Sequence, residues 1–204
     1  MFIQVIQGRC SDETTLRRQL DRWTQELASG AQGWLGGTYG ITDDQQFVGI
    51  VRFESREAAA RNSLRPEQGA WWEETSRCFD GEVTFHDCDD AIIMLEGGAD
   101  DAGFVQVIQG RLDDPTHFRD FMSQPMDMLH EARPEIIGGT IAIDDDGWFT
   151  ETMAFRSEAE ARAGEAKPMP DDLSEQWNRE MERVHDLRFM DLHRPWFASG
   201  TQGA

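Results

Sequence analysis

The chain has 204 residues, of which 39% are hydrophobic and 10% aromatic, a composition typical of a globular protein. Its 39 acidic and 19 basic side chains give a formal net charge of −20, which repels phosphate groups and argues against nucleic acid or an anionic membrane as a partner. The sequence contains no run of about 18 apolar residues and no secretory leader pattern. We therefore expect a cytoplasmic protein.

Three cysteines, Cys10, Cys78 and Cys88, lie in the first half of the chain. Their odd number and the lack of a C-x-x-C pair argue against a disulfide framework and against a zinc site. We interpret them as small buried side chains.

The chain repeats itself. The opening segment "FIQVIQGR" (2–9) returns as "FVQVIQGR" (104–111), and the same offset of 102 residues aligns "GGT" at 36–38 with "GGT" at 138–140. The offset grows to 104 at the last strand, where "EVTFHD" (82–87) matches "DLRFMD" (186–191). Such continuous self-similarity indicates one duplicated unit. We predict a first repeat at 1–94, a linker at 95–103, a second repeat at 104–197 and a flexible tail at 198–204.

The first repeat reads β-α-β-β-α-β. Its opening strand is followed by a helix that Ser11 should cap, with an apolar face formed by Leu16, Leu20, Trp23 and Leu27. Two strands joined by an acidic turn come next. Ser55 starts a second helical region, which resumes after Pro66. The last strand carries Val83 and Phe85.

The second repeat has the same order. Asp114 and Pro115 begin its first helix, with Phe118, Met122 and Leu129 on the apolar face. Pro125 stands where the first repeat has Trp23, so this helix should kink or break. Ser157 and Glu160 form a capping box for the second helical region. A later helix should present Leu173, Trp177 and Met181, and the last strand Leu187 and Phe189.

Each β-α-β-β-α-β unit predicts a four-stranded antiparallel sheet with both helices on one face. The other face would be left bare, so we expect the two bare faces to meet, about 10 Å apart. The predicted fold class is α+β: two tandem ferredoxin-like repeats that form an intrachain pseudo-dimeric α/β barrel. Such a chain should be a monomer with internal pseudo-twofold symmetry, or a weak homodimer through its outer edges.

This pattern resembles the dimeric α/β-barrel superfamily, which includes the antibiotic-biosynthesis monooxygenases. The resemblance is carried by "FIQVIQGR", by the strand-into-helix segments "RFESREAAAR" and "AFRSEAEARA", and by a tryptophan-bearing helix before "EVTFHD" or "DLRFMD". It covers residues 2–94 and 104–192, and the chain also resembles tandem-repeat hypothetical proteins common in actinobacteria. The resemblance implies a range of activities, from cofactor-free oxygenases to haem-degrading enzymes and lactone isomerases, and does not select one.

Strand alternation predicts which side chains line the barrel interior. Leu35, Tyr39 and Ile41 suit the helix side of their strand, which leaves Thr38 and its counterpart Thr140 facing inward. The same alternation places Arg52, Thr84 and His86 inside, with Arg188 as the counterpart of Thr84.

Histidine is the usual general base near neutral pH, so His86 is the candidate acid/base group and Arg52 the candidate that orients an anionic substrate. A structural hydrogen-bonding role for His86 remains the alternative.

Gln4 and Gln106 interrupt apolar strands and, once buried, must find hydrogen-bond partners. We place them on the barrel side, where they either line a pocket for a polar group or bond to each other or the opposing sheet. Trp72 is a further candidate for ligand contact, although a tryptophan is more often a core residue.

No cofactor is predicted. The resemblance implies that haem-binding members present a histidine from a helix at the pocket; the second helical regions contain none, which disfavours haem, although His130 keeps it open. The acidic pairs 43–44 and 145–146 fit hairpin turns better than metal sites. We predict a protein that binds a small organic molecule, with a cofactor-independent monooxygenase-like or isomerase-like reaction on an aromatic or enolic compound. The alternative is a non-catalytic protein whose interior is filled or only binds a ligand.

Overall fold

The computed structural model describes residues 1–95, 97, 100–123, 127–168 and 170–199. The chain divides into two compact units. The first contains Met1–Asp89 and the strand that begins at Trp196, and the second contains Asp90–Pro195. Each unit has a five-stranded antiparallel sheet with helices, which confirms the predicted α+β fold class.

The elements of the first unit follow the predicted order β-α-β-β-α-β, with the second helical region divided into two helices. The elements are β1 (Phe2–Cys10), α1 (Glu13–Arg22), β2 (Trp34–Ile41), β3 (Gln46–Phe53), α2 (Arg56–Ser63), α3 (Pro66–Thr75) and β4 (Phe79–Cys88). A π-helical turn, Trp23–Leu27, extends α1, and short 3-10 turns occupy Ala28–Gly30 and Ser76–Cys78.

The second unit repeats that order after one additional strand. Its elements are β5 (Asp90–Met94), β6 (Phe104–Leu112), α4 (Pro115–Met122), α5 (Asp127–Ala132), β7 (Gly138–Ile143), β8 (Trp148–Phe155), α6 (Glu158–Glu165), α7 (Asp171–Met181) and β9 (Val184–Leu192). The final strand of the chain is β10 (Trp196–Ser199).

Both sheets have the same strand order, β10-β2-β3-β1-β4 in the first unit and β5-β7-β8-β6-β9 in the second. The edge strand of each is a short segment that follows the other sheet's last strand in sequence. Trp196 of β10 pairs with Tyr39 of β2, and Ile92 of β5 pairs with Ile141 of β7. The predicted sheets have four strands each, and the fifth strand of each comes from this exchange, which was not predicted.

The helix starts follow local capping chemistry. Ser55, Asp114 and Ser157 each accept a hydrogen bond from a backbone N–H three residues later, as predicted. The predicted cap at Ser11 is wrong: Asp12 caps α1 by accepting from the Thr15 N–H at 2.9 Å. The Ser11 hydroxyl instead donates to the carbonyl oxygen of Cys78.

The first helical region of the second unit is interrupted, as the sequence predicts. α4 ends at Met122 and α5 begins at Asp127, whereas the corresponding helix of the first unit continues through the buried Trp23. Pro125 and the side chains of Leu129 and Leu173 lie outside the described residues. None of the described helices has the length and apolar character that crossing a lipid bilayer would require.

The core of the first unit is rich in aromatic rings, which lie between its sheet and its helices. They are Trp23, Trp34, Tyr39, Phe47, Phe53, Trp71 and Phe79. The prediction that Leu35 joins this core is wrong. A register shift between Trp34 and Gly36 turns Trp34 into the core and leaves Leu35 42% exposed.

The corresponding core of the second unit is mainly aliphatic. Its buried members are Met94, Ile108, Leu112, Phe118, Met122, Ile141, Ile143 and Phe149. A smaller cluster contains Phe104, Ile136, Phe155 and Ala161.

Candidate functional site

The helix-facing side of each sheet borders a cavity. Gln4 and Gln106, the first glutamines in the two copies of the repeated strand, lie on this side. Gln4 lines the first cavity with Ile6, and Gln106 lines the second with Ile108. The prediction that both glutamines face away from the helices is therefore wrong. The reason is that "FIQVIQGR" is apolar on both faces, so its alternation carries no information about orientation.

Neither glutamine bonds to its counterpart. Gln4 donates through Nε2 to a carboxylate oxygen of Asp87 at 2.8 Å. Gln106 donates in the same way to Glu165 at 3.1 Å and to Asp191 at 3.3 Å. Asp191 occupies the position on β9 that Asp87 occupies on β4. Gln4 and Gln106 therefore bond to equivalent aspartates in the two units.

In the first unit the cavity is small, with a volume of about 70 Å³. Indole and phenyl rings fill it. Trp72, predicted to contact a ligand, lies on its wall, and its ring centroid is 5.2 Å from that of Phe85 and 6.3 Å from that of Phe79. This space leaves no room for an organic ligand.

In the second unit the corresponding cavity has a volume of about 500 Å³. Its walls are mainly apolar and come from the sheet and from α4 and α7. The apolar lining residues are Ile108, Phe118, Met122, Ile136, Phe149, Met153, Trp177, Met181, Leu187 and Phe189. Phe189 is 59% exposed on the edge strand β9, so this edge forms the open side of the cavity.

Glu151 places a carboxyl group in this apolar cavity. It lies on β8 between Phe149 and Met153 on the helix-facing side, and its directly paired neighbours are Ile108 on β6 and Ile141 on β7. The residue is only 4% exposed. Within the described part of the chain it makes no hydrogen bond or ion pair. A carboxyl among isoleucines without a partner is costly, which points to a functional constraint.

Burial raises the pKa of Glu151 from 4.5 to about 7, because the apolar surroundings disfavour the charged form. Protonated and ionised forms therefore coexist near neutral pH. Perturbed carboxyl groups of this kind are concentrated at functional sites.

The other charged groups on the cavity wall are already paired. The Arg162 guanidinium binds Glu165 at 3.0 Å and also contacts Asp191. Arg133 pairs with Glu135. Among the described lining residues, Glu151 is thus the charge without a protein partner.

Glu158, Asp191 and His193 bring metal-ligating atoms within 4.8 Å of one another near this cavity. Their contacts within the protein satisfy them: Arg162 contacts both carboxylates, and His193 Nδ1 lies 2.9 Å from a Glu158 carboxylate oxygen. We therefore interpret the cluster as an ion-pair network.

The predicted catalytic residues lie in the first unit, on the sheet face away from the helices. Arg52 donates to the hydroxyl of Thr38 at 3.0 Å, so these two candidates are in contact. His86 pairs across the ladder with Val5, and Arg52 with Ile3. Because β1 separates their strands, about 10 Å of sheet lies between His86 and Arg52. Their role as an acid/base and anion-orienting pair stays a prediction.

The remaining candidates are dispersed. Thr84 is exposed on the edge strand β4, and its hydroxyl lies 3.5 Å from the Gln7 carbonyl oxygen. Thr140 is buried and shares a 2.8 Å hydrogen bond with Thr152. Arg188 is exposed, with its guanidinium over the Trp148 ring.

Sequence reasoning missed Glu151, although a signal was present. In "WFTETMAF" the helix-facing positions are Phe149, Glu151, Met153 and Phe155, so a carboxylate interrupts an apolar alternation. The repeat offset aligns it with Gly49, where the first unit has no side chain at all.

The sequence matches no known family model and no curated protein. Solved structures, in contrast, share its fold over nearly the whole length. A candidate monooxygenase from Lactobacillus acidophilus has a TM-score of 0.73 at 12% identity, with 98% of this chain and 96% of that chain covered. An anthrone oxidase-like protein has a TM-score of 0.65 at 7% identity, with 98% and 94% covered.

A Listeria monocytogenes ferredoxin-fold protein related to antibiotic biosynthesis monooxygenases has a TM-score of 0.54 at 11% identity. The structural match covers 95% of this chain and 94% of that protein's chain. The resemblance found in the sequence is thereby confirmed at the level of the fold.

Proposed function

We propose that the chain binds a small, mostly apolar organic molecule in the cavity of the second unit. We further propose that it holds this molecule for a monooxygenase-like or isomerase-like reaction that uses neither haem nor metal. The observation that carries the proposal is the unpartnered carboxyl of Glu151 inside an apolar cavity of about 500 Å³.

The size and chemistry of the cavity support ligand binding. Small-molecule sites in proteins typically enclose about 300–1,000 Å³, with apolar walls and a few polar groups that fix orientation. Here the walls supply contact area and Glu151 supplies the polar group. A ligand donor that reaches the carboxyl forms a hydrogen bond to a charged group, a gain of about 1.5–3 kcal/mol.

The fold supports the reaction class, since solved relatives of the same architecture are named as monooxygenase-related or anthrone oxidase-like. The described cavity wall contains no histidine, cysteine or tyrosine, the side chains that most often ligate haem. Glu151 is the described lining group able to exchange a proton near neutral pH, and so takes the acid/base role in this proposal.

His86 and Arg52 remain separate candidates for catalysis. Replacing His86 by Ala tests the first of them: unchanged turnover would remove His86 from the reaction, whereas loss of turnover with unchanged stability would support its role.

Binding can be tested with a variant that copies the first unit. The pair Tyr39 and Gly49 there corresponds to Ile141 and Glu151, and the Tyr39 ring stacks 6.3 Å from that of Phe47. The double variant Ile136→Trp, Ile141→Tyr, which adds the rings of Trp34 and Tyr39 and keeps Glu151, should reduce the volume of the second cavity beside Phe149. Fluorescence titration with 1-naphthylmethanol, a neutral aromatic probe, should give saturable binding of one molecule to the parent chain and at least tenfold weaker binding to the variant.

Equal binding to both chains, with circular dichroism showing both folded, would place the ligand elsewhere and contradict the proposal. Turnover is a second measurement. Oxygen uptake with anthrone, chosen because a fold relative is anthrone oxidase-like, should exceed the uncatalysed rate and fall in Glu151→Gln. Binding without any turnover would favour the alternative, a ligand-binding protein that is not an enzyme.

A further inference from the structure

We infer that the ligand of this cavity has an apolar, ring-containing body and a protonated amine, and that its ammonium group binds Glu151. The inference rests on the proposed function, because it assumes that the second cavity is the binding site. It adds the charge and chemical class of the ligand.

The first argument is the distribution of charge on the cavity wall. Described lining residues contribute two guanidinium groups, Arg133 and Arg162, and both are engaged by carboxylates. Arg162 brings one positive charge to the two carboxylates of Glu165 and Asp191, and Glu151 has no countercharge, so negative charge is in excess on the wall. A cation completes the set, whereas a carboxylate ligand would add a second uncompensated negative charge at close range.

The second argument concerns solvation. Forming a buried ion pair normally requires both ions to lose water, and this loss often cancels the attraction. Here the protein has already desolvated one partner, since Glu151 is buried in the ligand-free fold. The ammonium group therefore bears most of the loss of water on binding, which shifts the balance toward the ion pair.

The third argument is the nature of the walls. Aromatic rings of Phe118, Phe149, Trp177 and Phe189 line the cavity, and the Phe118 and Phe149 ring centroids are 5.2 Å apart. Such rings pack against a ring-containing body and attract a nearby cation through their faces. The net charge of −20 further raises the local concentration of cations around the protein.

The ion pair makes binding depend on pH. Titratable and charged groups facing Glu151 are Arg133 from the segment before β7, Arg162 and Glu165 from α6, and Asp191 from β9. Because burial places the pKa of Glu151 at about 7, the carboxyl must lose a proton before it can bind an ammonium group at lower pH. Amine affinity should therefore be highest above pH 7 and should fall as the pH decreases through 7.

Three probes with the same ring test the inference: 1-naphthylmethylamine, 1-naphthylmethanol and 1-naphthoate. Each is titrated by calorimetry against the whole chain and against Glu151→Gln at pH 8 and pH 6. The amine remains protonated at both values. In the parent chain it should bind at least tenfold more tightly than the alcohol at pH 8, with the carboxylate weakest. Its affinity should drop about tenfold at pH 6.

In Glu151→Gln the preference for the amine should shrink to about twofold or less, and its pH dependence should disappear. The inference is overturned if the alcohol or the carboxylate binds as tightly as the amine, or if the preference survives in Glu151→Gln. Binding of the alcohol with no amine preference would overturn this inference and leave the proposed function intact. Failure of all three probes to bind would overturn both.

Discussion

The two units have the same strand order, yet one has a filled core and the other an open cavity. The difference arises at a few aligned positions. Trp34, Tyr39 and Phe79 of the first unit correspond to Ile136, Ile141 and Val184 of the second. On the edge strand of the first sheet Trp196 pairs with Tyr39, whereas on the edge strand of the second sheet Ile92 pairs with Ile141. Replacing rings by shorter aliphatic chains opens space without changing the backbone pairing.

Gly49 and Glu151 mark the centre of that difference. In the first unit a Cβ at Gly49 would lie 3.1 Å from the Phe47 ring and 3.3 Å from the Tyr39 ring. In the second unit the same position carries a full carboxyl side chain. The comparison shows how one unit can have a filled core while the other, with the same strand order, keeps a cavity of about 500 Å³.

The largest effect should come from introducing the second unit's carboxylate into the first. Gly49→Glu forces a side chain and a charge into closely packed rings, and should reduce the free energy of unfolding by about 3 kcal/mol or more. Urea denaturation monitored by circular dichroism measures this. Gly69→Glu on α3, where a Cβ meets nothing within 4 Å, is the matched control and should be neutral or slightly stabilising. Equal stability of the two variants would mean that the first cavity is not filled.

Removing the charge from the second cavity should stabilise the protein. The folded-state pKa of Glu151, about 7, lies above its unfolded value of 4.5, so ionisation costs stability as pH rises from 4.5 to 7. Glu151→Gln should be more stable than the parent by about 3 kcal/mol at pH 8 and nearly equal to it below pH 4.5. Unfolding midpoints across this range measure the difference. The exposed Glu175→Gln should show no such trend, and a parallel pH profile for Glu151→Gln would refute the prediction.

An intermediate effect should come from the exchanged edge strands. The Trp196 ring centroid lies 6.1 Å from that of Tyr39, and the Arg17 guanidinium lies over it at 3.9 Å. Trp196→Ala should reduce the free energy of unfolding by about 2–3 kcal/mol. Ile92→Ala, at the matching position of the other sheet, should reduce it by about 1–2 kcal/mol. Thermal unfolding of both variants tests the order, and a larger loss for Ile92→Ala would contradict it.

The smallest effect should be common to both units. Ser55 and Ser157 cap α2 and α6 with the same geometry, accepting from backbone N–H groups at 3.2 and 3.3 Å. Each Ser→Ala change should cost about 1 kcal/mol in denaturant unfolding. Thr substitutions serve as controls because they retain the hydroxyl. Clearly unequal losses in the Ala variants would show that the two caps differ in their surroundings.

Much of the fold could be predicted because its signals are local. The repeat offset, the caps at Ser55, Asp114 and Ser157, and the break before Asp127 all depend on residues close in sequence. The fifth strands could not be predicted from the repeat: the offset of 104 aligns Ile92 with Trp196, but no residue of 90–94 is identical to its counterpart in 194–198. Their pairing is a long-range choice that local propensity does not encode.

The site could be predicted less well. Gln4 and Gln106 lie in strands that are apolar on both faces, so their orientation depends on tertiary packing. His86 and Arg52 were grouped because they share a sheet face, but alternation gives the face and not the separation along it. Glu151 could have been found by asking why a carboxylate stands at a core position. Its lack of a partner becomes visible only once the fold is known.

The edge strand of the first sheet has a consequence for synthesis. β10 begins at Trp196, so the sheet that starts with β1 gains its final strand only after residues 196–199 have left the ribosome. The second unit is contiguous in sequence from Asp90 to Pro195 and can assemble before that moment. The unit whose synthesis starts first is thus completed after the second, and a nascent chain stalled before residue 196 exposes β2 as an unpaired border open to aggregation.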